Sequence, residues 1–433
     1  MTHAVPLDAQ TQTTIAASKR TLWRIAAGIV RLDTFGALRR HPNFRRFWTG
    51  AAVSNVGNWM QVLGQGWLVY QLTGSALLLG TVAFLQGLPV LVLSLVGGVL
   101  ADRIVRRTLM VATQAAEMVL AFALAGLTLT GVVRVEHVLV IALLSGLVGA
   151  INQPVCQGII SDLVPREDVQ NAIAVNVAQF RASQVVGPAI AGIVVARVGA
   201  GWAFLLNGLS FAALLGALLS LRLPPWTPPA AKLSVWQRAK EGIAFVFGHE
   251  VLGTLVVIAA VPALCAGGLQ ALMPVFAASV LHVGAEGLGA LLGAMGGGAL
   301  VGALVTASLS TFRRRGLLQL GAGSAYGVAL LLFAASRNLE LSLALLFVGS
   351  ACIMVFSSLN QTFLQTLAPD HMRGRVLSVM TVTTFGLLPL GGLAAGAAAQ
   401  RWDASLVVGA GGAACALCTL AALMTRPRHR RLA

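Results

Sequence analysis

The chain has 433 residues, of which 57% are hydrophobic and 10% are charged. Soluble domains average about 45–50% apolar and about 25% charged residues, so this composition excludes an ordinary soluble enzyme, a disordered protein and a disulfide scaffold, and indicates a chain that lies mostly in lipid. Its 30 Lys and Arg against 14 Asp and Glu give a formal net charge of +16. We assign this charge to basic loops held in the cytoplasm and not to nucleic-acid binding.

Twelve apolar runs follow one another along the chain, each close to the about 20 residues that a transmembrane helix needs. They predict an all-α protein that crosses the lipid bilayer twelve times, at 47–71, 75–101, 108–131, 137–160, 170–196, 201–221, 251–276, 286–309, 316–336, 340–366, 375–400 and 403–424.

The loop charges predict the orientation of these spans. If the N-terminus is cytoplasmic, 25 Lys and Arg lie in cytoplasmic segments and four lie on the other side. Because basic residues are retained in the cytoplasm, we expect a multi-pass protein of the plasma (inner) membrane with both termini cytoplasmic.

A proline-rich, polar segment separates the first six spans from the last six. Pro224, Pro225, Pro228 and Pro229 break any helix, and a polar helical pattern opens at Ser234. These signals predict a linker with one interfacial helix. The expected divisions are a basic cytoplasmic N-terminal arm (1–46), a six-helix bundle (47–221), a cytoplasmic linker (222–250), a second six-helix bundle (251–425) and a basic cytoplasmic tail (426–433).

The two sets of spans repeat weakly at an offset of 204 residues. The repeat pairs Gln157 with Gln361, Gly187 with Gly391 and Gly192 with Gly396. A repeat of six spans is typical of transporters, whose substrate site lies where the halves meet near the bilayer midplane. The sequence therefore predicts two pseudo-symmetric six-helix bundles around a shared site.

The short turn after the second span carries the sequence GGVLADRIVRR (97–107). Glycines there allow two helices to approach closely, and Asp102 can cap a helix N-terminus or pair with an arginine across the cytoplasmic seam. The turn resembles the Gly-x-Leu-Ala-Asp-Arg-x-Gly-Arg-Arg hallmark of the major facilitator superfamily, with Val105 in place of the second glycine. The resemblance implies the twelve-helix fold of that superfamily and a gate that holds the outward-facing state, formed by Gly98, Asp102, Arg103 and Arg106; the alternative is that these charges only set topology.

Longer stretches resemble the branch that contains enterobactin exporters and macrolide efflux proteins. They are 43–48, 162–174, 176–180, 202–207 and 369–376. This resemblance implies export driven by proton antiport, with a drug, macrolide-like compound or siderophore as cargo.

Gly187, Pro188 and Gly192 lie in the fifth span. Proline removes a backbone hydrogen bond, and glycine permits a bend or a close contact. The pattern is similar to the Gly-Pro motif of the superfamily's antiporters, which implies a hinge; plain helix packing is the alternative.

Two full charges lie deep within predicted spans, Glu117 in the third and Arg181 in the fifth. A charge in the bilayer core costs several kcal/mol, so such residues are functional candidates. We expect Glu117 to carry coupling protons, with Arg181 as its partner or as an anion-binding group. The alternative is a static Glu–Arg pair.

Uncharged polar residues recur at helical spacing in spans one, four and ten, and the seventh adds a single amide. Each set falls on one helix face. In the superfamily these four helices line the central cavity, and amides with little fixed charge suit a small amphipathic molecule; interhelical hydrogen bonds are the alternative. The candidates are Asn55, Asn58, Gln61, Gln65, Gln153, Gln157, Gln270, Ser357, Gln361 and Gln365.

Several kinds of chemistry lack their motifs. There is no Gly-x-x-x-x-Gly-Lys-Ser/Thr pattern and no His-Glu-x-x-His pattern, and the five cysteines lie in apolar runs as packing residues. We expect no metal, no cofactor and no enzymatic activity. The interpretation is a monomeric secondary transporter that exchanges an amphipathic molecule for protons by alternating access, against two alternatives: a nutrient uptake symporter, or a non-transporting membrane scaffold or sensor.

Overall fold

The computed structural model describes residues 35–221, 235–309, 314–430 and 432, with the side chains of these residues except at 94–103, 157, 235–239 and 427–428. This part of the chain contains no β-strand and has twelve helices of 21 to 32 residues. We number them α1 (Pro42–Thr73), α2 (Ala76–Arg103), α3 (Arg106–Leu129), α4 (Val135–Leu163), α5 (Val169–Val198), α6 (Ala200–Ser220), α7 (Glu250–Val275), α8 (Gly284–Ser308), α9 (Arg315–Ala335), α10 (Leu339–Leu367), α11 (Asp370–Ala399) and α12 (Ala404–Thr425).

Each predicted span coincides with one of these helices, which confirms the all-α fold class. Ten of them are long and apolar enough to cross a bilayer. The other two, α1 and α5, are as long, with 32 and 30 residues, but more polar. Four of the amides that the sequence singles out lie on α1, and Arg181 lies on α5. We attribute the polarity of these two helices to side chains that face the interior of the molecule.

The ends of the predicted segments differ in places from the structure. The first helix begins at Pro42, inside the predicted N-terminal arm, because a proline at the first helical position and the charged residues after it still form helix. Short helices cover Gly36–Arg40, Val235–Gly248 and Pro427–Arg430. The rest of the predicted arm and residues 222–234 of the predicted linker lie outside the described residues.

Short turns make neighbouring helices run in opposite directions. Only Gly74 and Ser75 join α1 to α2, and Gly74 takes φ = 60°, a left-handed conformation that glycine adopts at little cost. Since the helices alternate, α1 begins and α12 ends at the same side of the molecule. We call this side the terminal face and the other the opposite face.

Two glycine-lined seams join the amino-terminal half (α1–α6) to the carboxy-terminal half (α7–α12). In the α2–α11 seam, a Cβ atom added at Gly80 would lie 2.4 Å from the carbonyl oxygen of Gly392. In the α5–α8 seam, a Cβ atom at Gly289 would lie 2.6 Å from the carbonyl oxygen of Pro188. Both seams therefore bring backbones into direct contact, as small residues do in membrane helix packing.

Two side-chain hydrogen bonds join the halves at the opposite face. Tyr70 and Ser279 share a hydrogen bond with 2.5 Å between their side-chain oxygens, and the Ser75 hydroxyl donates to Oε1 of Gln400 at 3.2 Å. Both bonds cross between the halves. These bonds hold the ends of α1 and α2 against the carboxy-terminal half at this face.

Candidate functional site

Two adjoining cavities lie between the halves. The larger, about 310 Å³, is lined by α1, α2, α4, α7, α8 and α11, and we call it the α2–α11 cavity. The smaller, about 180 Å³, is lined by α1, α5, α7, α8 and α10, and we call it the α5–α8 cavity. Gln270 and Leu292 line both, so these two side chains separate the cavities, and we call the pair of cavities the cargo compartment.

The walls of the α2–α11 cavity are mostly apolar and carry four amides. Gln65, Gln153 and Gln270, all expected from the sequence, lie on its wall together with Gln86. Nε2 of Gln86 donates to Oε1 of Gln65 at 3.3 Å, and Nε2 of Gln65 is buried without a partner in the described structure. An unsatisfied buried amide costs about 1–3 kcal/mol, and a cargo acceptor would recover that cost.

Sequence reasoning missed Gln86. It stands alone in an apolar span, so it forms no stripe with other polar residues. The signal that could have identified Gln86 is its isolation. A single amide in an apolar span needs a hydrogen-bond partner, so it is expected to face the protein interior.

The α5–α8 cavity holds a charge. Arg181 and Gln184 on α5, Trp59 on α1 and Ser350 on α10 line it. Nη1 of Arg181 donates to Oε1 of Gln184 at 2.9 Å, and Nε of Arg181 is buried without a partner in the described structure. The Trp59 ring packs edge-on against Phe180, with 6.3 Å between ring centroids.

Several predicted cavity residues lie elsewhere. Nδ2 of Asn55 donates to Oε1 of Gln179 at 3.2 Å, and Oε1 of Gln61 accepts from Nδ2 of Asn207 at 2.6 Å. Both bonds are internal to the amino-terminal half, and neither amide lines either of the two cavities in the described structure. α1 contacts neighbours on several sides, and its polar face turns partly toward α5 and α6.

The remaining candidates lie toward the terminal face. Asn58 on α1 and Ser357, Gln361 and Gln365 on α10 are exposed and line neither cavity. Ser350, which does line a cavity, precedes Ser357 and Gln361 by 7 and 11 positions, so these residues continue the same helix face. The cavity-facing side of α10 is therefore exposed toward the terminal face. The side chain of Gln157 lies outside the described residues.

Glu117 lies away from both cavities, between α3 and α4. Its Oε2 accepts from the Ser145 hydroxyl at 3.1 Å. One to two turns toward the terminal face, Oδ1 of Asn152 accepts from Thr113 at 3.2 Å and from Gln114 at 3.4 Å. The expected pairing of Glu117 with Arg181 is not found, because the two side chains have different partners on different helices.

The same α3–α4 interface ends in an ion pair at the terminal face. Nη1 of Arg106 donates to Oδ1 of Asp162 at 2.9 Å and to the carbonyl oxygen of Gly158 at 3.1 Å. Arg106 thus joins two helices of one half. The expected pairing of Asp102 across the cytoplasmic seam stays a prediction. Sequence reasoning missed this role of Asp162, which is the first residue of the stretch 162–174 that resembles the exporter branch. The side chains of Gly98, Asp102 and Arg103 lie outside the described residues.

The predicted hinge residues pack at helix contacts. A Cβ atom at Gly187 would lie 2.5 Å from Cβ of Trp59, and one at Gly192 would lie 3.0 Å from the carbonyl oxygen of Ala285. α5 continues through Pro188 as one helix. These contacts explain the residue types by packing, and the hinge stays a prediction.

Comparison with known proteins places these features in a family context. A family model described as transmembrane secretion effector matches residues 33–432. The chain is 30% identical to the multidrug efflux pump Tap of Mycolicibacterium fortuitum, over 80% of this chain and 86% of the relative. It is 28% identical to the enterobactin exporter EntS of Shigella boydii, over 83% and 86%, and 24% identical to the staphyloferrin A transporter of Staphylococcus aureus, over 80% and 87%.

Solved structures share the fold at low identity. A nucleoside transporter NupG variant superposes with a TM-score of 0.70 at 15% identity, covering 88% of this chain and 99% of that one. A POT family transporter in complex with 5-aminolevulinic acid gives a TM-score of 0.71 at 11% identity, covering 90% and 97%.

Proposed function

The chain belongs to the transmembrane secretion effector family of the major facilitator superfamily, and from this premise we propose that it exports a small amphipathic molecule in exchange for protons. It is a multi-pass membrane transporter and not an enzyme. The proposed cargo is a drug, a macrolide-like compound or a siderophore, and the relatives named above are a multidrug efflux pump, an enterobactin exporter and a staphyloferrin A transporter. A single chain encloses the cavities, which supports a monomer as the working unit.

The α2–α11 cavity carries this proposal. It has about 310 Å³ of space, four amides and no charged residue among its lining side chains. Apolar walls with a few placed polar groups suit a bulky molecule with scattered hydrogen-bonding groups and do not suit a small ion. The buried, unpartnered Nε2 of Gln65 supplies a donor at a fixed point of that wall.

The conformation fits the loading step of an exporter. Loop charges favour a cytoplasmic terminal face, and the halves are joined by hydrogen bonds at the opposite face. A cavity closed on that side accepts cargo from the cytoplasm. Rocking of the halves about the two glycine seams would then close the terminal face and open the other.

Glu117 is the proposed proton carrier. It is the carboxylate on the α3–α4 interface, and the polar groups of Asn152, Gln114 and Thr113 lie between it and the terminal-face pair of Arg106 and Asp162. This arrangement supports a proton route inside the amino-terminal half that is separate from the cargo compartment. The proton would influence cargo by changing the packing of α3 and α4, since Glu117 lines neither of the two cavities described above.

Inverted membrane vesicles test export directly. Vesicles with an acidic interior are mixed with a macrolide, a catecholate siderophore and 8-anilino-1-naphthalenesulfonate, and each compound is quantified by mass spectrometry after rapid filtration. Proton-antiport export predicts accumulation inside the vesicle that collapses when the pH gradient is dissipated. Loss of preloaded compound from the vesicle would support uptake by symport, and binding without flux would support a scaffold; either result contradicts the proposal.

A further inference from the structure

We propose that Arg181 binds the anionic group of the cargo, so that the transported molecule is an amphipathic organic anion. This inference rests on the proposed export function and specifies its substrate class. It concerns the α5–α8 cavity, to which neither the family resemblance nor the relatives named above assign a ligand.

Among the described residues, Arg181 has no counter-ion of the kind that a charge in lipid normally requires. Its partner is the neutral Oε1 of Gln184 at 2.9 Å, and its Nε is buried without a partner in the described structure. The acidic residue expected to neutralise it, Glu117, bonds to Ser145 on another interface. An unpaired guanidinium in the membrane interior is costly, and an anion beside it in a site with little water recovers much of that cost.

The surroundings of Arg181 have the shape of a binding site. The guanidinium opens on about 180 Å³ of space, and arginine presents a planar fork that matches carboxylate, sulfonate or phosphate oxygens. Gln184 fixes one Nη atom, which holds the guanidinium at the cavity wall. Trp59 adds an aromatic surface for the apolar part of a ligand.

The position of the cavity favours cargo over a lipid headgroup. Gln270 and Leu292 line both cavities, so an anion at Arg181 can place its apolar body in the α2–α11 cavity without leaving the compartment. A lipid headgroup would have to reach the interface of the two halves from the surrounding bilayer. A guanidinium would bind the anionic group of a cargo molecule or of a lipid headgroup in the same way, and the experiment below distinguishes the two.

Two dyes that differ by one anionic group test the assignment. 8-Anilino-1-naphthalenesulfonate and N-phenyl-1-naphthylamine share a ring system, and only the first carries a sulfonate. Their binding to the full chain is measured by fluorescence in nanodiscs of zwitterionic lipid, with empty nanodiscs subtracted. A charge-assisted hydrogen bond predicts that the wild-type protein binds the sulfonate about tenfold tighter than the neutral dye. Arg181→Gln should lose this preference and keep the neutral dye's affinity, while Arg181→Lys should retain most of it.

Every other outcome of this experiment either supports or overturns the anion site. Equal affinities in the wild-type protein, or a preference that survives Arg181→Gln, overturn the inference. If Arg181→Gln binds neither dye, Arg181→Lys decides: a retained preference supports the site and a lost one overturns it. If phosphatidylglycerol in the nanodisc abolishes the preference in the wild-type protein, the site holds a lipid headgroup and the cargo assignment is wrong. An anion preference in nanodiscs without any accumulation in inverted vesicles would refute export and leave the anion site standing.

Discussion

Residue 181 in the amino-terminal half and residue 385 in the carboxy-terminal half are 204 positions apart, and each lines one of the two cavities between the halves. The first is arginine and the second is phenylalanine. The neighbouring pair differs in the same way, because Gln184 corresponds to Leu388. One cavity is therefore built around a fixed positive charge and the other around apolar surface.

The packing of the two halves is far more alike than their chemistry. Gly187 contacts α1 and its counterpart Gly391 contacts α7, while Gly192 contacts α8 and its counterpart Gly396 contacts α2. Glu117, in contrast, corresponds to Gly321. The repeat preserves the small residues that let backbones meet, and the two charges deep within the predicted spans, Glu117 and Arg181, both lie in the amino-terminal half. In the proposed mechanism, both halves form the moving frame and the amino-terminal half couples it to charge.

The largest effect is expected where the shared frame is disturbed. Gly80→Val and Gly289→Val place methyl groups against backbone carbonyl oxygens in the two seams, and such overpacking costs about 1–3 kcal/mol, or about a 5- to 150-fold shift away from the conformation closed at the opposite face. The measurement is the disulfide yield between Tyr70→Cys and Ser279→Cys, whose parent side chains are hydrogen-bonded, in a background without the five native cysteines.

The two seams should respond alike if they are equivalent. Gly126→Val is the control, because nothing lies within 4 Å of a Cβ atom at that position. A disulfide yield that falls in only one seam variant would show that the halves do not share one frame.

Moving the arginine from position 181 to position 385 tests the difference between the cavities. Arg181→Phe should remove the preference for 8-anilino-1-naphthalenesulfonate over its neutral analogue, a change of about tenfold. Adding Phe385→Arg should not restore it, because Leu388 cannot accept a hydrogen bond as Gln184 does. Full restoration in the double variant would mean that any positive charge in the compartment suffices.

The amide pairs of the two halves provide a smaller and more selective test. Gln114 donates to Asn152 in the amino-terminal half, and Gln319 donates to Asn360 at 2.8 Å in the carboxy-terminal half. Asn152→Leu and Asn360→Leu should each cost about 1–3 kcal/mol of stability, since each leaves a buried amide unpaired. Only Asn152→Leu should slow pH-driven accumulation in inverted vesicles. Equal slowing in both variants would place the proton route elsewhere.

The smallest effect concerns the docked C-terminal tail. Burial lowers the pKa of His429 from 6.5 to about 4, and the ring bonds to Oε1 of Gln319 at 2.9 Å. Between pH 6.5 and 4 the undocked tail binds a proton that the docked tail does not, so docking weakens as the pH falls through this range and is unaffected above it. Hydrogen exchange at the Gly316 amide, which donates to Leu432 at 3.1 Å, should lose protection from pH 7 to pH 5, beyond the intrinsic change in rate. His429→Gln should remove this dependence; unchanged protection in the wild-type protein would contradict it.

The helices were predictable because each apolar run contains its own signal, whereas the site depends on how helices are rotated against one another. Spacing placed Asn55, Gln61 and Gln65 on one side of α1, yet of these three only Gln65 lines a cavity. The other two form hydrogen bonds with side chains of α5 and α6. Depth in the membrane suggested that Glu117 meets Arg181, but depth does not fix the direction in which a side chain points. Such partners are set by contacts between helices distant in sequence.

Proton-driven flux through Glu117→Gln tests most directly the claim that the amino-terminal half couples protons to export. Inverted vesicles of the wild-type protein and the variant are compared for accumulation under an acid-inside gradient, and for exchange of labelled against unlabelled compound without a gradient. We expect Glu117→Gln to lose the gradient-driven accumulation and to keep the exchange, because the cargo compartment is untouched. Undiminished accumulation by Glu117→Gln would contradict the claim.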